Sequence, residues 1–210
     1  MKIQINRIVR MTKNEGFGNR YCIWMQGCSI RCRGCMNSHM WSFDEGIPMN
    51  VSEILGDIQD CTFIEGVTLL GGEPFDQSIS LAELVRQVHD SGLSVIVFTG
   101  YTLEYLIGQN DPSIQTILDN TDLLIDGPYI EECTDFSRPW IGSRNQRFLF
   151  LSDRYCEADL KKQKTGSRYE LRICKDGTIT VNGIGDLQCF SKMILFQEGK
   201  CEKTENNNLS

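Results

Sequence analysis

Three cysteines, Cys28, Cys32 and Cys35, stand within eight residues in a C-x3-C-x2-C spacing, on a segment, GCSIRCRGCMN, with neither helical nor strand periodicity. A loop of that length can wrap one corner of a cube of iron and sulfur. Such cubanes ordinarily take four protein thiolates, so three leave one iron open to a ligand from outside the protein. His39 follows Cys35 by four residues, and a Cys3His set closing a tetrahedral zinc site is the competing chemistry. Three unrelated buried cysteines are the remaining alternative.

Composition narrows the setting. The 210 residues carry 28 Asp+Glu against 21 Lys+Arg, a net charge of −7. A nucleic-acid binder that works by counterion release needs a basic face, so nucleic acid is not an expected partner. No apolar run approaches the roughly 18 residues of a bilayer span, and the opening MKIQINRIVRM lacks the apolar stretch of a signal peptide. The expected location is therefore cytoplasmic, with no membrane partner. Thiols stay reduced there, so ten cysteines do not read as a disulfide scaffold. At roughly 100 to 200 residues per domain, the length allows one catalytic domain and an appendage.

The elements that must position the cysteines follow from periodicity. Strands are expected at 3–9 and 21–26, the second running directly into the cysteine loop. A short helix is expected at 51–58, with Ser52 as a plausible N-cap. Residues 66–70 (GVTLL) and 94–98 (SVIVF) are continuous apolar runs, the mark of strands buried on both faces. Between them Leu81, Leu84, Val85 and Val88 form the apolar stripe of a helix at 79–90, stopped by Gly92. Helices near 102–108 and 113–119 precede a strand at 122–126. This alternation predicts an α/β fold with parallel strands, whose ligand sites lie at the strand C-termini. The cysteine loop, Gly71-Gly72-Glu73-Pro74, Thr99-Gly100-Tyr101 and Asp126-Gly127 each follow a strand and should converge on one edge.

Beyond residue 154 the character changes. Strands at 169–174 and 178–181 flank Lys175-Asp176-Gly177, a hairpin signal. The domain reading is a core over 1–154, an appended β-hairpin region over 155–198, and a polar, disordered tail over 199–210.

The C-x3-C-x2-C loop followed by Gly-Gly-Glu-Pro resembles the radical SAM superfamily. Within it, four stretches are similar to the glycyl-radical-enzyme activases of the class III anaerobic ribonucleotide reductase type: GFGNRYCIWMQGCSIRCRGCMN (16–37), LLGGEPFD (69–76), VFTGYTLEYL (97–106), and DLLIDGPYIEE through RPWIGSRNQRF (122–148). Their order and spacing agree over residues 1 to about 154. The resemblance implies a partial (β/α) barrel of the radical SAM type, here with a small appended C-terminal β element. It implies a [4Fe-4S] cluster on Cys28, Cys32 and Cys35, whose open iron binds S-adenosylmethionine. Reductive cleavage then yields methionine and a 5′-deoxyadenosyl radical that abstracts a hydrogen from a glycine near the C-terminus of a partner reductase. A low-potential flavodoxin or ferredoxin is the implied electron donor.

The resemblance also implies roles. Gly71 and Gly72 would let a ligand approach the strand end, Glu73 would accept from the S-adenosylmethionine ammonium, and Pro74 would stiffen the turn. Gly100 and Tyr101 fall where the family lines the adenosyl pocket, with core packing an alternative for Tyr101. Asp126 could bond a ribose hydroxyl or cap a turn. Arg138, Trp140, Arg144 and Asn145 form a loop near the substrate entrance or are solvated. His39 is outside the family ligand set, His89 follows a helix stripe, and no protein side chain is assigned as catalytic. The seven other cysteines, Cys22, Cys61, Cys133, Cys156, Cys174, Cys189 and Cys201, read as small hydrophobes, with an auxiliary cluster from the last four as the alternative. Activases of this type end near the RNQRF strand, whereas this chain runs about 60 residues further. That departure keeps open a radical SAM enzyme acting directly on a peptide or small molecule, and, more remotely, a zinc-stabilised binding module.

Overall fold

Strand β1 (Lys2–Thr12) lies between β2 (Arg20–Met25) and β3 (Ile47–Asn50), antiparallel to both. The computed structural model describes residues 1–173, 176–177 and 179–185. Strand β2 continues the sheet in parallel with β4 (Gly66–Gly71), then β5 (Ser94–Phe98) and β6 (Leu123–Asp126), and β7 (Arg147–Phe150) closes the series antiparallel to β6. The order is β3-β1-β2-β4-β5-β6-β7. This is a large mixed α/β sheet, open between edge strands β3 and β7. The expected barrel goes no further than four adjacent parallel strands, since among the described residues no pairing joins the two edges.

One face carries the helices. Helix α1 (Val51–Gln59) buries Val51, Ile54 and Ile58, and α2 (Ser78–Asp90) buries the predicted stripe of Leu81, Leu84, Val85 and Val88. Helices α3 (Leu103–Gly108) and α4 (Pro112–Asp119) complete the crossover from β5 to β6. They pack on Tyr21, Ile23, Met25, Val67, Leu69, Val95, Val97 and Leu124, every second residue of the parallel strands. The alternate residues, Cys22, Trp24, Leu70, Ile96, Leu123 and Ile125, face the other way, under Phe17, Met40, Trp140 and Ile141. Both faces are covered, which is why these strands read as unbroken apolar runs.

Several local expectations change. Ser52 is not the N-cap of α1. That position is Asn50, whose N–H donates to the Glu53 carboxylate at 2.9 Å. Strand β3 carries Pro48 at a sheet edge, where a residue without an N–H is tolerated, and had no pattern to announce it. Strand β1 is 11 residues long and irregular: Ile5 pairs with Met25 but Arg7 with Trp24, so one extra residue sits on β1 between them.

After α5 (Glu157–Lys161), strands β8 (Arg168–Ile173) and β9 (Ile179–Ile184) form the antiparallel hairpin, with Gly177 at φ +85° in its turn. It lies against the end of β1: Thr12 Oγ1 donates to Glu170 at 2.5 Å, and Arg168 donates to the Lys13 carbonyl at 3.2 Å. Cys174, Cys189 and Cys201, with the tail at 199–210, lie outside the described residues. The described residues contain no helix long and apolar enough to cross a membrane.

Candidate functional site

Because β2, β4, β5 and β6 are parallel neighbours, the loops after them meet at one end of the sheet. They line a cavity of about 220 Å³ that includes Cys28, Cys32, Cys35, Gly71, Gly72, Glu73, Thr99, Gly100 and Gly127. The predicted convergence is therefore present in the tertiary structure.

The cysteine loop is closed at its base. Gly27 N–H donates to the Met40 carbonyl at 2.8 Å and Cys28 N–H to the Trp41 carbonyl at 3.2 Å, so residues 27–41 leave and return at one point, as an Ω-loop does. The Gly-Gly-Glu turn holds the same base. Gly72 N–H donates to the Met25 carbonyl at 2.9 Å and Glu73 N–H to the Gly27 carbonyl at 2.8 Å. A second tie comes from Asp76, whose carboxylate accepts from Ser29 N–H at 2.7 Å and from the Tyr101 hydroxyl at 3.0 Å. That hydroxyl also meets Ser29 Oγ at 2.7 Å.

Burial pushes the Cys28 thiol up, and N–H groups of Arg31 and Ile30 bonded to its sulfur pull it back toward thiolate. Cys32 behaves alike, with Tyr129 N–H as its leading donor. Among the described residues no three His, Cys, Asp or Glu side chains converge as one metal ion would need. A cubane makes no such demand, because its three thiolates bind three different irons. His39 is exposed on a 3-10 turn and does not line the cavity, so it is not placed with the cysteines as the zinc reading required. The residues present fit an iron–sulfur cube gripped at three corners.

Glu73 is buried, and its carboxylate accepts from Phe75 N–H at 3.0 Å, Thr99 Oγ1 at 2.8 Å and Gly100 N–H at 2.9 Å. Burial raises its pKa to about 7, against the pull of those donors. Three of about four acceptor positions are used, which leaves one for a ligand ammonium. Its first task is to clamp the β4 turn to the β5 turn.

The other expected positions divide. Gly71, Gly72 and Gly100 line the cavity. The physical need for Gly71 and Gly72 is nevertheless packing against protein: a Cβ on Gly72 would stand 2.2 Å from the Gly27 oxygen, and one on Gly71, at φ +104°, would stand 2.8 Å from Met25 N. Pro74 is absent from the lining and starts the 3-10 turn Pro74–Gln77. Tyr101 is also absent, its hydroxyl being spent on Ser29 and Asp76 and its ring stacked on Tyr105 at 4.8 Å. Asp126 is fully buried and faces away, accepting from Leu103 N–H at 2.8 Å and from Arg147 Nε at 2.8 Å. Its two oxygens hold the first turn of α3 and the Arg147 guanidinium, the capping alternative of the sequence reading.

In the 138–145 loop, Arg138 binds the carbonyls of Ser143, Arg144 and Gln146, Arg144 is exposed, and Asn145 donates to the Pro128 carbonyl at 2.7 Å. Only Trp140 of the four lines the cavity. Sequence reasoning missed Arg7, Glu15, Trp24, Trp41, Gln146 and Asn182, all in the lining. The one available signal was a charged residue, Arg7, inside an otherwise apolar alternation. His89 is exposed on α2, and among the described residues Cys22, Cys61, Cys133 and Cys156 are free.

Fold and site define an iron–sulfur protein: residues 14–149 match the 4Fe-4S single cluster domain family. The anaerobic ribonucleoside-triphosphate reductase-activating protein of Pasteurella multocida is 36% identical over 140 residues, covering 63% of this chain and 87% of its own. That of Haemophilus influenzae is 34% identical over 140 residues, 63% of this chain and 88% of its own, and that of phage T4 is 30% identical over 145 residues, 66% and 88%. The chain belongs to this family of activating proteins. The solved structure of QueE from Escherichia coli superposes with a TM-score of 0.43 at 22% identity over 49% of this chain and 54% of its own, and no argument is drawn from it. The class is that of activating proteins built on a single-cluster 4Fe-4S domain.

Proposed function

We propose that the chain cleaves S-adenosylmethionine reductively and so places a radical on a glycine of an anaerobic ribonucleoside-triphosphate reductase. When bound, the reduced cluster supplies one electron that splits the sulfonium into methionine and a 5′-deoxyadenosyl radical, which leaves as 5′-deoxyadenosine after taking a hydrogen atom from the glycine. The protein's share is orientation and exclusion of water. Cys28, Cys32 and Cys35 hold three irons. Glu73 offers its remaining acceptor position to the ammonium, and Gly100 leaves room beside it. Trp24, Leu70 and Phe98 give the cavity an apolar wall.

The observation that carries this reading is the direct stitching of the Gly-Gly-Glu turn to the base of the cysteine loop. It fixes a candidate ammonium acceptor beside a cluster site. A low-potential flavodoxin or ferredoxin would deliver the electron. The test is anaerobic incubation of reconstituted protein with S-adenosylmethionine, dithionite and a reductase labelled with deuterated glycine. Deuterium in 5′-deoxyadenosine and a glycyl radical signal are the expected results; cleavage without label transfer would point to a different hydrogen donor.

A further inference from the structure

The same cavity has a polar stretch of wall built by β1, β9 and the Trp140 turn. The extra residue between Ile5 and Arg7 reverses the strand's alternation, so Arg7 joins Trp24 on the cavity face while Ile3 and Ile5 point to the helices. The Arg7 guanidinium lies 4.1 Å over the Trp24 ring and reaches the Val181 carbonyl and Asn182 Oδ1, each at 3.4 Å. Asn14 donates to the Asn182 carbonyl at 3.2 Å, and Asn182 Nδ2 to Thr12 Oγ1 at 3.3 Å. These bonds bring Asn182, Gly183 and Ile184 of β9 into the lining, although the hairpin lies beyond the 14–149 family match.

Three N–H groups in the lining residues are buried with no partner among the described residues: Arg7 Nε, Trp41 Nε1 and Trp140 Nε1. An indole N–H can only donate, and buried donors left unpaired are rare. Trp140 is also held at φ +65°, with Ile141 N–H donating across it to the Pro139 carbonyl at 2.9 Å. A bulky residue in that turn is strained, and the surrounding contacts, with Phe17 edge-on at 4.8 Å, keep it there. This wall therefore awaits a ligand rich in acceptors. Two of the three unpaired donors are uncharged indoles, and the Arg7 guanidinium is already engaged by the Trp24 ring, the Val181 carbonyl and Asn182 Oδ1, all of them neutral partners. Neutral acceptors fit best, and the carbonyls of an extended polypeptide are such acceptors.

We infer that the unpaired N–H groups of Arg7 and Trp140 bind backbone carbonyls of the polypeptide segment that gives up the hydrogen atom, with Asn182 holding the Arg7 guanidinium in place and the β8–β9 hairpin as the outer wall of that subsite. The inference rests on the activase reading and adds to it the residues that recognise the acceptor.

The test uses reconstituted full-length protein with S-adenosylmethionine under anaerobic conditions. The probe is a fluorescein-labelled peptide spanning the glycine near the C-terminus of the cognate reductase. Trp140→Phe removes the N–H together with the five-membered half of the indole, so the melting temperature is read beside it; Asn182→Ala removes the hairpin's contribution and serves as the independent second variant. Each should weaken peptide affinity about five- to tenfold, the scale of one hydrogen bond, with S-adenosylmethionine affinity unchanged. Unchanged peptide affinity in both variants overturns the inference. So does an equal loss of S-adenosylmethionine affinity, which would assign these residues to the cofactor pocket. Wild-type protein that cleaves S-adenosylmethionine but ignores the peptide also overturns it while leaving the radical chemistry standing. A wild type that cleaves none removes the activase reading itself.

Discussion

The backbone N–H of Glu73 donates to the carbonyl oxygen of Gly27 at 2.8 Å, one residue ahead of the first cluster cysteine. Two motifs more than 40 residues apart thereby share one hydrogen-bonded base. The Gly-Gly-Glu turn and the cysteine loop are therefore tied to one anchor.

Gly72→Ala tests that coupling. The added methyl meets the Gly27 oxygen, a backbone atom that can yield only by moving the loop. A cost of about 1–3 kcal/mol is expected, with reduced iron uptake on reconstitution. Iron analysis and urea unfolding measure the two effects, and wild-type values in both would show that the base is not tight.

Cys32→Ser removes one of the three cysteines that line the cavity among the described residues. Cluster assembly and all S-adenosylmethionine cleavage should be lost. Cleavage at the wild-type rate would remove Cys32 from the ligand set.

Asp126→Asn separates a structural carboxylate from a ligand contact. The change weakens the pair with Arg147, whose partner is buried, and should lower stability by about 2 kcal/mol. S-adenosylmethionine affinity should not move. A selective loss of affinity at unchanged melting temperature would assign Asp126 the ribose role instead.

Glu15 gives the chain a pH signature. Burial raises its pKa from 4.5 to about 7, so between those values the folded protein holds a proton that the unfolded chain has released. Its contribution to stability is fully present below pH 4.5 and is lost as pH rises through about 7. Glu73 acts in the same direction. Glu15→Gln should therefore stabilise the cluster-free protein at pH 8 by up to about 3 kcal/mol relative to wild type and have little effect at pH 4.5. Urea unfolding at the two pH values decides it; an equal effect at both would mean Glu15 ionises normally.

The cysteine spacing, the apolar strands at 66–70 and 94–98 and the stripe of α2 were legible because each depends on residues close in the chain. Spacing bounds what a loop can wrap, and periodicity tells which residues share a face. Alternation of strands and helices was then enough to predict that four loops meet at one end of a parallel sheet.

What only the tertiary structure decided were relations between distant segments. Asp126 looked free until Arg147 arrived from the neighbouring antiparallel strand. Gly71 and Gly72 line the cavity, and a Cβ on either would also meet backbone of Met25 or Gly27, a close approach that sequence alone did not announce. One unpaired residue in β1 turned Arg7 from the helix face to the cavity, because strand facing has a period of two and a single insertion inverts it. The same strand then anchored a hairpin about 170 residues away and made it a cavity wall. Local patterns carry the identity of elements and the chemistry of a loop, whereas the partner of a buried polar group depends on which chain segment the sheet order brings beside it.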